Sequence, residues 1–175
     1  MLLLLLLSQT GIEEYFPLNV GNKWVYQVYL PVLEPHFSFD SMVVVDRKAF
    51  KGEEFYKVLW GGRTYWFSCH NNELRVYPSS DSLRGNIPFD TSNYDVWLKL
   101  PLESGNVFSY TKKNKYKIVC RVSTEKNLYT AGGEFKNCIK VSTMMGDMWF
   151  VKGIGVIKMK MSPFDIEIVR WNISD

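Results

Sequence analysis

The stretch Thr64-Tyr65-Trp66-Phe67-Ser68-Cys69-His70-Asn71-Asn72-Glu73-Leu74-Arg75-Val76-Tyr77 reads as two strands joined by a two-residue turn. Asparagine tolerates the left-handed backbone that such turns require, and the flanks carry the aromatic and β-branched residues that strands favour. Upstream, Ser38 to Phe50 and Glu54 to Trp60 form a second hairpin around Lys51-Gly52-Glu53, where a glycine is available for positive φ. Further back, Trp24, Tyr26, Val28 and Leu30 alternate with Lys23, Val25, Gln27 and Tyr29, the period of two of a strand with one strongly apolar face.

Downstream, Tyr116 to Ser123, Cys138 to Thr143, Met148 to Lys152, Val156 to Met161 and Phe164 to Asn172 are short β-branched or aromatic runs. Strands at such spacing predict an all-β fold, a curved antiparallel sheet closed as an open barrel or stacked as a sandwich. Gly153 and Gly155 lie between two of these runs, as a tight turn or bulge requires. Pro78 to Asp95 has no sustained periodicity and is expected to be a long loop between two halves, a place where binding loops and lids occur. Beyond the N-terminal leucines no segment has helical periodicity.

Composition agrees with one globular domain: 175 residues, 46% hydrophobic and 22% charged. Aromatic residues reach 15%, which favours strands because flat rings pack well on a pleated surface. The net charge of +3 comes from interleaved signs, so no nucleic-acid partner is expected. The densest basic run, Lys112-Lys113-Asn114-Lys115-Tyr116-Lys117, falls where a hairpin turn is predicted, and lysines there also discourage edge-to-edge sheet pairing.

Leu2 to Leu7 followed by Ser8-Gln9-Thr10-Gly11 has the order of an apolar signal core and its polar cleavage region, so residues 1–11 are expected to be a residual export signal and 12–175 the β domain. The core is short and no Lys or Arg precedes it, so the true start is expected to lie upstream. Six leucines cannot span a bilayer, which takes about 20 apolar residues, and no lipid-attachment cysteine follows them. Cys69, Cys120 and Cys138 fit no zinc or redox spacing. After export Cys120 and Cys138 are the pair to bridge, and three buried small hydrophobes is the preferred reading.

Phe16-Pro17-Leu18-Asn19-Val20-Gly21-Asn22-Lys23-Trp24-Val25-Tyr26 aligns without gaps on Leu100-Pro101-Leu102-Glu103-Ser104-Gly105-Asn106-Val107-Phe108-Ser109-Tyr110, offset by 84 residues, with Pro, Leu, Gly, Asn and Tyr identical. Two similar β units starting near 16 and 100 are expected, each opening on one corner, with Trp24 and Phe108 as equivalent core anchors.

Three blocks carry a resemblance: Tyr15-Phe16-Pro17-Leu18 with Gly21-Asn22, Trp24 and Tyr26; Ala131-Gly132-Gly133-Glu134-Phe135 with Asn137-Cys138-Ile139 and Val141; and Trp149-Phe150-Val151-Lys152-Gly153-Ile154-Gly155-Val156-Ile157-Lys158. The chain resembles a group of uncharacterised exported bacterial β-proteins. The resemblance implies a secreted or envelope protein with a curved antiparallel sheet, somewhat like the open barrels of lipoprotein carriers, and it carries over no activity and no functional residue.

Chemistry is sparse. Cys69 and His70 are adjacent on a predicted strand and so point to opposite faces, which prevents them acting as nucleophile and base. His36 lies in no motif; Glu13-Glu14, Glu53-Glu54 and Asp165 with Glu167 read as solvated strand and turn carboxylates rather than a glycosidase pair. The glycines near Gly153 lack a dinucleotide fingerprint, and Asn172-Ile173-Ser174 is a sequon of the kind that occurs by chance. No catalytic residue, metal site or cofactor is expected. Trp60, Tyr65, Trp66 and Trp97, near Gly61-Gly62 and the long loop, are the candidate ligand-binding residues. The expected function is non-enzymatic binding of an apolar small molecule, a lipid or an envelope protein by a periplasmic or extracellular protein. A carbohydrate-binding module would need these rings exposed and coplanar, and a hydrolase would need a polar cleft with a histidine or two carboxylates.

Overall fold

The computed structural model describes residues 11–31, 36–78, 93–112 and 115–174. They form a 3-10 turn at Ile12–Tyr15 and twelve strands: β1 Lys23–Leu30, β2 His36–Phe50, β3 Glu53–Trp60, β4 Arg63–His70, β5 Glu73–Pro78, β6 Asp95–Lys99, β7 Val107–Lys112, β8 Tyr116–Thr130, β9 Gly133–Thr143, β10 Gly146–Val151, β11 Gly155–Met161 and β12 Phe164–Asn172. All belong to one antiparallel sheet in the order β6-β5-β4-β3-β2-β1-β12-β11-β10-β9-β8-β7. Each half is a six-stranded meander running outward from the β1–β12 ladder, and the sheet curls into a nearly closed barrel.

Local chemistry sets the turns. Lys51-Gly52, Gly61-Gly62 and Asn71-Asn72 each place two consecutive residues at positive φ, between 49° and 82°, the geometry whose twist matches the flanking strands. Register shifts at Val25/Tyr26, Val44/Asp46, Leu74/Arg75 and Trp149/Phe150 bend the strands where the barrel must curve.

The inward face is apolar. Trp24 and Tyr26 of β1 are completely buried and cross the interior: the Trp24 indole donates to the Ile154 carbonyl, and the Tyr26 hydroxyl donates to that of Val156 at 3.0 Å. Phe16 plugs the end where β1 begins, stacked on Trp24 at 5.0 Å and on Phe67 at 5.3 Å. Outward positions such as Lys23 and Lys48 are exposed. This polarity is the reverse of a membrane-spanning barrel, which is apolar outside and polar within. Among the described residues no helix is long and apolar enough to cross a membrane. A second, smaller cluster of Phe55, Trp66 and Tyr77 is buried separately, with Phe50 and Tyr94 packed on it.

The two corners make the same hydrogen bonds. Gly21 N–H donates to Val44 and Val44 N–H to Asn22, at 2.8 and 2.9 Å; Gly105 donates to Val122 and Val122 to Asn106, at 2.9 and 2.8 Å. The Asn22 and Asn106 side chains each donate to the proline carbonyl five residues before, at 2.8 and 3.0 Å. Trp24 and Phe108 nevertheless differ, because Trp24 sits mid-sheet and is wholly buried whereas Phe108 lies on the sheet's last strand and is half-buried.

Several sequence expectations change. Pro78 and Asp95, the two ends of the expected loop, belong to strands β5 and β6, and β8 and β9 extend as one long hairpin beyond the predicted runs. Residues 79–92 of the expected loop lie outside the described residues, as do the leucine run and Lys113-Asn114. All three cysteines are free. Cys138 faces Glu125, five residues along β8 from Cys120, so about 16 Å separates the two, far beyond disulfide reach.

Candidate ligand pocket at the barrel seam

The sheet ends at β6 and β7, which share no backbone ladder. Side chains bridge them instead: the Asp95 carboxylate accepts from the Tyr110 hydroxyl at 3.1 Å and from the Lys112 ammonium at 2.7 Å. Burial, and then the charge and hydrogen bond of Asp95, push the Tyr110 phenol well above its ordinary value, so it stays a donor throughout the neutral range.

Behind this bridge lies a cavity of about 100 Å³ lined by Trp97, Tyr110, Ile118, Met148 and Met161, with Thr143, Met145 and Gly146 at its mouth. The strands explain the lining. Trp97 on β6, Ile118 on β8 and Met148 on β10 all belong to or pack on the main core. Burial followed by the charge of Asp95 pushes the Cys120 thiol up to about 11, leaving it a neutral hydrophobe beside the seam.

Of the four aromatic candidates, the structure brings three together. Trp97 meets Trp60 edge-on at 6.0 Å, and Trp60 lies 5.9 Å from Tyr65 with the rings tilted by 47°. Trp97 is also edge-on to Phe16 and Phe67. Trp66 is not with them. Next to Tyr65 on a strand, it points to the other face, where it is fully buried with Phe55 and Tyr77 and has the Lys48 ammonium 5.9 Å from its ring centre. With Trp60 and Trp97 at 86° to each other, the three rings make no coplanar strip.

At the opposite end a polar cleft of about 480 Å³ gathers Glu13, Glu53, Glu54, Cys69 and His70. His70 Nδ1 lies 3.3 Å from the Glu53 carboxylate, and Glu54 pairs with Arg47 and accepts from Tyr56. Burial and then the charge of Glu13 push the Cys69 thiol up to about 12, so no thiolate forms there near neutral pH. Glu14 pairs with Lys152 and Glu167 with Lys158. His36 is exposed at the start of β2. A wider open cleft of about 570 Å³ runs past Gly11, Tyr15, Asn72 and Leu100 to Glu103 and holds a single carboxylate. Among the described residues no group of three or more His, Cys, Asp or Glu is placed to hold a metal ion.

Fold and seam together define a nearly closed antiparallel barrel with a packed apolar interior and one strand junction closed only by side chains. Two solved structures are similar to it. One is a candidate exported protein with a YmcC-like fold from Bacteroides fragilis, at 13% identity and a TM-score of 0.48 over 90% of this chain and 98% of that one. The other is a candidate lipoprotein from Parabacteroides distasonis, at 14% identity and a TM-score of 0.46 over 94% of this chain and 100% of that one. No protein-family model matches the chain. No curated protein matches it either.

Proposed function

We propose that the protein is an exported, non-enzymatic binding protein that takes the end of an apolar chain, such as a lipid acyl chain, into the seam pocket. The lining carries this reading: Trp97, Ile118, Met148 and Met161 present apolar surface, while the nearby polar groups of Asp95 and Tyr110 are bonded to each other. Methionines adapt to varied apolar shapes at little cost. A volume of about 100 Å³ is below the roughly 300 to 1,000 Å³ of sites that enclose drug-sized ligands, which favours a chain end over a whole molecule. Because β6 and β7 share no ladder, the pocket can open without breaking strand pairing. The leucine run supports export. Protonated thiols and ion-paired carboxylates support a role without catalysis.

The test is a fluorescence titration with a fatty acid brominated at its methyl end, since bromine quenches nearby indoles. Saturable quenching is expected, reversed by the unbrominated acid and largely lost in Trp97→Phe. Absence of saturable quenching, or quenching that Trp97→Phe leaves unchanged, would overturn the proposal. A saturable response to soluble glycans alone would move the reading to carbohydrate binding.

A further inference from the structure

Antiparallel pairing puts the Met144-Met145 turn, the start of β12 and the start of β2 at the same end of the barrel as the seam pocket. These elements belong to neighbouring strands, β2-β1-β12-β11-β10-β9, and so lie side by side along the rim. Two-residue hairpin turns ordinarily carry Gly, Asn or Asp. Here the turn is Met144-Met145, and Met144 is 84% exposed. Phe164 is exposed beside it, and Phe37 is exposed at the start of β2. Pro31, Met144, Met145, Pro163 and Phe164 line one surface depression, and Met145 and Gly146 also line the mouth of the seam pocket. The β7–β8 hairpin, next along the rim, exposes Tyr116 between Lys115 and Lys117.

The charges around these side chains select the partner. Among the described residues Lys115 and Lys117 make no ion pair, and Lys160 is exposed at the edge of the depression. The rim carboxylates are mostly engaged: Asp95 with Lys112, Asp147 with Lys140, and Asp40 with the backbone N–H groups of Ser41 and Gly61. Asp165 is left facing the depression. Apolar tips on separate hairpins form a ragged edge, which suits insertion among lipid headgroups better than the flat complementarity of a protein interface. Aromatic and lysine side chains beside them match the chemistry of a membrane–water boundary.

We propose that this rim docks on an anionic lipid bilayer, with Met144, Met145 and Phe164 entering the headgroup region and Lys115 and Lys117 meeting lipid phosphates. Docking would set the mouth of the seam pocket against the bilayer. It does not require the pocket to be filled, so the two proposals fail separately.

The experiment is co-sedimentation of the full chain with phosphatidylcholine vesicles, with and without phosphatidylglycerol, at low and high salt. Binding to the anionic vesicles is expected, weakened by salt. It should fall at least about tenfold in Met144→Asp/Met145→Asp and in Lys115→Glu/Lys117→Glu, since each basic residue near such a surface contributes about 1 kcal/mol. Every variant keeps the leucine run, so a difference between them reports on the rim, and thermal melts by circular dichroism check that each is folded. No binding, or binding equal in the wild type and the Met144→Asp/Met145→Asp variant, would overturn the proposal. So would a concentration-dependent dimer in sedimentation velocity that the methionine changes abolish, because a second copy would then own the rim.

Discussion

The indole N–H of Trp24 donates to the carbonyl of Ile154, 130 residues away, across the floor of the barrel. The same ring is completely buried against Phe16, so one side chain ties the first strand to the β10–β11 connection by packing and by a hydrogen bond. Trp24→Ala should cost about 3 to 5 kcal/mol, from lost transfer energy and the cavity left behind. Trp24→Phe keeps most of the packing and leaves the Ile154 carbonyl without its donor, for about 1 to 3 kcal/mol. Phe108→Ala, at a half-buried site on an edge strand, should cost clearly less than Trp24→Ala. Urea melts of the three variants rank them, and equal losses at Trp24 and Phe108 would contradict the difference in burial.

Gly155 stands under the same ring. Its φ is +107°, and a Cβ there would come within 3.2 Å of both Trp24 Nε1 and Phe16 Cδ2. Gly155→Ala therefore meets backbone strain and a crowded aromatic floor together, and should destabilise by about 2 kcal/mol or more. Gly21→Ala is the control. Gly21 has a φ of +99° with nothing near its would-be Cβ, so only the backbone cost of about 1 kcal/mol applies. A thermal melt in which Gly155→Ala is no worse than Gly21→Ala would show that the floor relaxes freely.

The sequence was most legible where one face of a strand is apolar. β1 and β12 match their predicted limits because Trp24 and Tyr26, or Ile166 and Ile168, alternate with outward residues. The far half of β8, Thr124 to Thr130, went unread because Glu125-Lys126-Asn127 offers no apolar face; its ladder to β9 holds it in the sheet. β6 was hidden by its five-residue length beside a polar segment. Of the site, the grouping of Trp60, Tyr65 and Trp97 follows inner-face residues from three strands. The separation of Trp66 from Tyr65 follows from the period of two and was available from the sequence. The seam was not, because whether β6 meets β7 depends on the accumulated twist and stagger of twelve strands. Met144-Met145 was visible as an odd turn only once its hairpin was placed.

Glu73 links the last strands of the first half. Its carboxylate accepts from Arg75 and from Lys99 of β6, both at 2.9 Å. Burial alone would raise its pKa, but the hydrogen bonds and charges of Lys99 and Arg75 outweigh that and hold it below the ordinary carboxyl value. A lowered folded pKa means the unfolded chain binds the proton more readily, so stability rises with pH. The contribution is complete above the unfolded value of about 4.3 and is lost as pH falls through the lower folded one. Glu73→Gln should lower the melting temperature at neutral pH and flatten its fall in that acid window. An unchanged acid slope in Glu73→Gln would show that Glu73 does not carry this dependence.

The proposal that the two halves are copies of one unit makes a sharper demand on the corners than likeness of sequence. Asn22 and Asn106 occupy matching places, and each side-chain amide donates to a proline carbonyl. Their surroundings have diverged. Asn22 is wholly buried, and its Oδ1 also accepts from the backbone N–H and hydroxyl of Ser174 at 2.9 and 2.7 Å, which pins the end of the chain against the first corner. Asn106 is half-buried and makes the proline bond without a counterpart to Ser174 among the described residues. Asn106→Ala should cost about 0.5 to 1.5 kcal/mol, the worth of one ordinary hydrogen bond. Asn22→Ala loses the same bond and strands the Pro17 carbonyl and the Ser174 donors, so about 2 to 4 kcal/mol is expected, at the severe end for a point change. Adding Ser174→Ala to each separates the shared part from the acquired part. In the Asn22→Ala background the second change should cost little, because its partner is already gone, while in the Asn106→Ala background it should cost as much as it does alone. Denaturant melts of the two double-mutant cycles measure both couplings. A coupling of Ser174 to Asn106 as large as to Asn22 would mean that the corners communicate through the whole barrel, and local hydrogen bonding would not account for their difference.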